Sequence, residues 1–353
     1  MRTVLAGLGL LFASHAVLAA NPPVCVSTGI ELRAALMTAA GNVGDNEIRI
    51  RQGTLTLFDN TLPYEPAKTG NLTVSGGWTG ASGQCTNQGR AHTTVIDGQG
   101  NRQLFRIRPT ATAGGLITIS NLTLTGGYRA SIVESAALDL SLPAGSSVSA
   151  KAEHLIIRDN DENHWGAVVT LWAGGSGSIT FRNNLVTGNY AGSYGTIRAA
   201  VAANTTMYFV NNTIADNRRT AYSAHPSSGL ELSGAGTFHL GNNVIVGNRD
   251  GQNNPSDVGV LWGQNPLWHL SCNHIGQLSG TPTENDSTST GDDVFEAGNG
   301  YRPKPGSALI NSGDHHAIGG IPVVDLDGNA RQQGSQIDRG AYEWKPLFAN
   351  GFD

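Results

Sequence analysis

Short apolar strands recur along the middle of the chain at an almost constant interval. His154-Leu-Ile-Ile-Arg-Asp-Asn160, Asn184-Leu-Val-Thr-Gly-Asn189, Asn212-Thr-Ile-Ala-Asp-Asn217 and Asn243-Val-Ile-Val-Gly-Asn248 share one pattern, and their closing Asn residues lie 29, 28 and 31 positions apart. A second apolar strand precedes the last three: Ser178-Ile-Thr-Phe-Arg182, Met207-Tyr-Phe-Val210 and Thr237-Phe-His-Leu240. A third follows each polar turn: Gly166-Ala-Val-Val-Thr-Leu171, Gly195-Thr-Ile-Arg198, Gly229-Leu-Glu-Leu232 and Val258-Gly-Val-Leu261. One such unit has no partner for its inner face, whereas stacked units build long parallel sheets around a continuous core. The pattern predicts an all-β fold, a right-handed parallel β-helix of three sheets. A β-propeller expects four strands in units of about 40–45 residues, so the spacing excludes it.

The ends of a solenoid must differ from its middle. Glu31-Leu-Arg-Ala-Ala-Leu-Met-Thr-Ala-Ala40 is the one good helical pattern after residue 20, and predicts an N-terminal capping helix. Asn71-Leu-Thr-Val and Asn121-Leu-Thr-Leu belong to the same strand class in less regular coils. The expected organisation is a leader over 1–20, an N-terminal cap and first coils over 21–115, regular coils over 116–279, and a polar loop with an irregular C-terminal cap over 280–353. The leader reading rests on Arg2, an apolar run from Val4 to Leu18 and a small-residue cleavage site at Ala19-Ala20. It predicts a secreted protein, periplasmic, extracellular or at the cell surface, with no membrane-spanning segment after removal of the leader.

Composition sharpens this picture. The 353 residues include 47 Gly and 29 Asn, and 14% are charged, against about 25% in an average soluble domain. The tandem Asn pairs Asn183-Asn184, Asn211-Asn212 and Asn242-Asn243 fall at a bend between two strands. There Asn tolerates left-handed backbone and its amide can bond the copy in the next coil. A net charge of −5 without a basic run excludes a nucleic-acid partner. Of three cysteines, Cys25 and Cys85 are expected to pair, leaving Cys272 as a small buried thiol.

Three blocks near the C-terminus carry a family resemblance: Tyr301-Arg-Pro-Lys-Pro-Gly-Ser-Ala-Leu-Ile-Asn-Ser-Gly-Asp314, Asp325-Leu-Asp-Gly-Asn-Ala-Arg331 and Ile337-Asp-Arg-Gly-Ala-Tyr-Glu343. Together with Leu32-Arg-Ala-Ala-Leu36, Gly-Gly-Trp78 and Val95-Ile-Asp-Gly98, they resemble the choice-of-anchor Q proteins, secreted β-helix proteins of pectate lyase-like fold. The chain departs from that family at Ser307-Ala-Leu-Ile-Asn311 and Asp338-Arg-Gly-Ala341. The resemblance implies secretion and surface association. It implies no settled activity or catalytic set.

Related β-helices act on polysaccharides in a groove along one sheet, so chemistry is sought on the strand after each Gly-led turn. With Ile197, Leu230 and Leu232 inward, Arg198 and Glu231 face out about 5 Å apart. They are candidates for a base or carboxylate clamp and for an acid, or equally for an exposed ion pair. Thr170 or Trp172 would form the preceding rung and Trp262 the next. The turns before these strands hold His164, Trp165, Tyr194, Arg218, Arg219, Tyr222 and His225, an aromatic and basic rim suited to sugar rings and uronate carboxylates, or to covering the coil beneath. No cofactor is expected. Asp325 and Asp327 form a partial calcium-loop pattern whose twelfth position is Gln336 instead of Glu, and Asp314-His315-His316 is a weak transition-metal pattern. Three functions follow: a binder of polysaccharide or another surface glycan, a polysaccharide lyase or glycosidase, and an adhesin or spacer. Oligomeric state is left open.

Overall fold

The computed structural model describes residues 20–345 except 59–60, 82, 130–134, 163, 220–224, 289–290 and 292. The expected leader, all but Ala20, therefore lies outside the described residues, as does Tyr222. The chain winds into a right-handed parallel β-helix of about seven turns. Each regular coil contributes a strand to three faces, named here the front, back and side sheets.

The front sheet has eight parallel strands, among them Leu138–Leu142, Val169–Ala173, Ile197–Val201 and Leu230–Gly234. The back sheet includes Ile179–Arg182, Thr206–Val210, Thr237–Gly241 and Leu267–Ser271. The side sheet includes Leu185–Thr187, Thr213–Ala215, Val244–Val246 and His274–Ile275. Between coils the pairing is parallel and in register, so like residues stack: Phe181 lies on Phe209 with ring centroids 5.7 Å apart. One apolar core runs the length of the molecule.

Back and side sheets meet at a corner where the tandem Asn residues divide two tasks. Asn183, Asn211 and Asn242 adopt φ of 55°, 52° and 58°, the left-handed backbone that turns the chain. The second residue of each pair forms the ladder. Asn184 Nδ2 donates to Asn212 Oδ1 (3.0 Å), Asn212 to Asn243 (2.9 Å) and Asn243 to Asn273 (2.8 Å). The closing Asn residues form a second ladder, Asn160 to Asn189, Asn217 and Asn248 at 2.9 Å per step, ending on Asp257 at 2.7 Å. Cys272 occupies a left-handed corner position (φ 52°) and is half-buried, not enclosed as expected. Its coil shares the corner geometry while lacking the first Asn.

Helix α1, Gly29–Gly41, starts at a capping box between Thr28 and Glu31. It buries Leu32, Leu36 and Ala39 over the open end of the core. The Cys25–Cys85 disulfide staples the entry strand beside it, which fits an oxidising compartment. Among the described residues no helix is long and apolar enough to cross a membrane.

The irregular C-terminal segment, 294–344, runs back along the corner of the solenoid as a clasp. Val324 O accepts from His154 Nε2 and Asn183 Nδ2, Asn211 Nδ2 donates to the carbonyls of Asp338 and Gly340, and Asn242 Nδ2 donates to Asp314 O. Its Leu326, Ala341 and Tyr342 cover Leu185, and its Leu309 covers Ala215, Val244 and Val246. The side-sheet strands are therefore buried on both faces, as a strand apolar at every position such as Val244–Val246 requires.

Candidate functional site

Strand alternation sets two outward rows across the front sheet. The first runs Arg106, Asp139, Thr170, Arg198, Glu231 and Gly259, and the second Ser141, Trp172, Ala200 and Ser233. Thr170 is thus the rung before Arg198. Trp172 lies in the neighbouring row and Trp262 falls beyond the strand, exposed. Most charges in the first row are already matched. Arg106 pairs with Glu65 at 2.8 Å. The enclosed Asp139 accepts from Arg108 and from Ser141 Oγ at 2.6 Å.

Arg198 differs. Its guanidinium stacks 4.0 Å over the Tyr194 ring and has no carboxylate partner among the described residues. Glu231 departs from the exposed side chain anticipated: it is fully buried on the outer side of the sheet, and its carboxylate turns to His225. His225 Nδ1 lies 2.8 Å from Glu231 Oε2, while Oε1 has no hydrogen-bond partner. Tyr194 meets His225 edge to face at 4.6 Å. Four candidates from two rim turns and two strands thereby form one chain of contacts, Arg198–Tyr194–His225–Glu231.

The remaining candidates stand apart from this unit. Trp165 is exposed in the preceding coil, its ring 6.0 Å from that of His164. Arg218 belongs to a small sheet before the rim, paired in register with Tyr190 and bridged to Arg249. Asp327 is held by both arms of Arg302 (2.6 and 2.7 Å), and the buried Asp325 accepts from the Asn329 and Glu343 N–H groups. Neither carboxylate is aimed at an open site.

Two residues brace the rim: Glu162, which sequence reasoning passed over, and Arg219, expected there as a ligand-binding cation and found buried beneath the loop instead. Glu162 Oε2 accepts from the backbone N–H of His164 (3.2 Å) and Gly166 (2.7 Å), folding the loop that carries Trp165. Arg219 Nη1 donates to the carbonyls of His225 (2.9 Å) and Ser227 (3.3 Å), folding the next loop. Each lies two positions after a ladder Asn, Asn160 and Asn217, and that offset is the signal that would have marked them as inward. Beside His225 opens a cavity of about 310 Å³ whose lining includes Arg219, Asp250, Trp262 and Gln277. Burial alone would raise the Asp250 carboxyl. Hydrogen bonds from Asn254 and Gln252, with the Arg219 charge, hold it below its ordinary value instead.

The arrangement offers a cation backed by an aromatic ring, which can meet an anionic group. Beside it, a carboxylate fixes an imidazole, a pair able to hold or move a proton. Fold and face define the class: a right-handed parallel β-helix with a polar, aromatic-edged front sheet. No family model matches the chain, and no curated protein matches it. Among solved structures, the chain is similar to pectate lyase Pel9A at 13% identity, over 88% of this chain and 90% of that one, with a TM-score of 0.45. A pectate lyase variant from Xanthomonas campestris matches at 13% identity over 76% and 82% (TM-score 0.36). The pectin methylesterase from Aspergillus niger matches at 15% identity over 77% and 92% (TM-score 0.32). These likenesses carry no argument about chemistry.

Proposed function

We propose that the chain is a secreted or surface-displayed β-helix whose front sheet binds an acidic glycan. The Arg198 guanidinium carries this reading: it is half-buried, stacked on Tyr194 and free of any carboxylate partner among the described residues. Such a cation is preorganised for a uronate carboxylate, because its orientation is fixed before binding. Trp172 and Trp165, both exposed, supply apolar faces for sugar rings in successive positions along the same coil.

A glycan array probed with the purified protein tests the proposal. Uronate polymers are expected to bind, more weakly as salt rises. Arg198→Ala should cost about 1.5–3 kcal/mol, the worth of a hydrogen bond to a charged group. An array without signal, or an Arg198→Ala variant that binds like the wild type, would sink the proposal in favour of an adhesin or spacer. The His225–Glu231 pair supports a second reading, depolymerisation of the same polymers. Release of unsaturated products or reducing ends, abolished by His225→Ala, would select it.

A further inference from the structure

We propose that the front sheet receives the end of an acidic glycan chain and rejects internal stretches, because a wall closes its floor one strand beyond Arg198. The inference rests on the glycan reading above and adds which part of the polymer is bound.

The outer face of the front sheet changes character between neighbouring strands. Successive side chains of a strand point to opposite faces, so burial alternates wherever one face is solvated. Val169–Ala173 and Ile197–Val201 alternate in this way: their inward residues are buried, Thr170, Arg198 and Ala200 are half-buried, and Trp172 is exposed. The next strand, Leu230–Gly234, does not alternate. Its outward residues Glu231 and Ser233 are 0% and 5% exposed, so both outward rows are covered there. The strand after it, Val258–Val260, keeps its outward Gly259 buried as well.

The loop carrying His225 and Pro226 forms this wall. His225 Nδ1 sits 2.8 Å from Glu231 Oε2, on the outer side of the strand. One residue on, Pro226 lies against Gly259: a Cβ at that glycine would stand 2.9 Å from Pro226 Cβ and 3.0 Å from its carbonyl oxygen. Glycine admits this close approach where a larger residue would push the loop away. The loop is also held from within. The buried Arg219 donates through Nη1 to the carbonyls of His225 and Ser227, and Ser227 Oγ donates to Leu230 O (2.8 Å). The cavity on the far side of His225 has neither Arg198 nor Tyr194 in its lining, so it does not prolong the floor.

Towards the N-terminal coils the floor goes on. Asp139 stands two strands from Arg198 in the same row, about 9–10 Å away by strand spacing. The Arg108 guanidinium is bonded to it and 38% exposed, which gives the floor a second polar station. A chain with its terminal uronate on Arg198 can therefore run along the solenoid axis over Thr170 and Trp172 towards Arg108. An internal uronate at Arg198 would need chain on both sides, and its next sugar would meet His225. Specificity of this kind comes from the clash built against the wrong ligand.

The test is calorimetric titration of the purified protein with short oligomers and long polymers of galacturonate, guluronate and glucuronate. For the uronate that binds, one protein per glycan chain is expected at both lengths. Affinity per mole of chain should be unchanged, so affinity per mole of uronate should fall by the ratio of the two lengths. Arg219→Ala releases the wall and should let several proteins bind each long chain, with circular dichroism reporting that the variant is folded. Should it not fold, the wild-type length series decides alone. Equal affinity per mole of uronate at both lengths in the wild type would overturn chain-end binding while leaving the glycan reading standing. No binding at either length would overturn both. A folded Arg219→Ala that still binds one per long chain would overturn the loop as the cause.

Discussion

Replacing Asn212 by Ala is expected to remove about 3–5 kcal/mol of stability, a large share of the ~5–15 kcal/mol typical of a folded domain. The side chain is fully buried in the middle of the corner ladder. Its Oδ1 accepts from the Asn184 backbone N–H (3.1 Å) and from Asn184 Nδ2 (3.0 Å), and its Nδ2 donates to Phe181 O (2.8 Å) and Asn243 Oδ1 (2.9 Å). Alanine leaves the Asn184 N–H and the Phe181 carbonyl without these partners and away from water, each at about 1–3 kcal/mol. Both neighbouring coils lose contacts, because a solenoid is held by nearest-neighbour interfaces. Asn217→Ala should cost a similar amount, since Asn217 stands equivalently in the second ladder. Asn204→Gly, at an exposed left-handed turn with φ 64°, should change little. Urea unfolding followed by circular dichroism measures all three, and a cost below about 1 kcal/mol for both ladder variants would refute the account.

The ladders were half legible in the sequence. The interval between closing Asn residues gives the coil length, and the coil length predicts stacked strands. Tandem Asn announces the corner, yet only backbone geometry separates the left-handed Asn211 from the ladder residue Asn212. The placing of Arg198 and Glu231 at one register position of adjacent strands followed from Ile197 and Leu230 facing inward. The turn of the Glu231 carboxylate towards His225 did not, because it depends on the loop braced by Arg219. Likewise Val244-Ile-Val246, apolar at every position, implies a cover on its outer face. Which segment supplies that cover is a long-range matter: His154 meets Val324 across 170 residues. No local pattern encodes such a contact. The alternation in Thr237-Phe-His-Leu240 places His239 outward. Stacking it on His269 needs the register of a coil whose corner holds Cys272, where the tandem-Asn signal is missing.

The clasp should loosen as pH rises from 5 to 8. Arg331 and Glu343, with side chains 3% and 1% exposed, pair at 3.0 Å beneath it, and Arg331 also reaches Asn183 Oδ1. Asp338 stands close by, accepting from the N–H groups of Asn311 (2.7 Å) and Trp344 (2.6 Å). Burial pushes the Glu343 carboxyl up to about 7 against the downward pull of Arg331, and burial raises Asp338 too. A carboxyl raised above its unfolded value near 4.5 contributes stability that is fully present below that pH and is lost as pH climbs through the folded value. At ~1.36 kcal/mol per pH unit, Glu343 accounts for at most about 3 kcal/mol across that window. Glu343→Gln mimics the protonated form and should flatten the pH dependence. Arg331→Met removes the cation that offsets the buried carboxylate. It should cost about 3–5 kcal/mol at pH 8, where Glu343 is charged, and much less at pH 5, where it is protonated. Hydrogen exchange of clasp amides between 309 and 344 reports this local opening, which global unfolding would average away. An unchanged pH slope in Glu343→Gln, or an equal cost of Arg331→Met at both pH values, would show that the clasp is held by Leu326, Leu309 and Tyr342 alone.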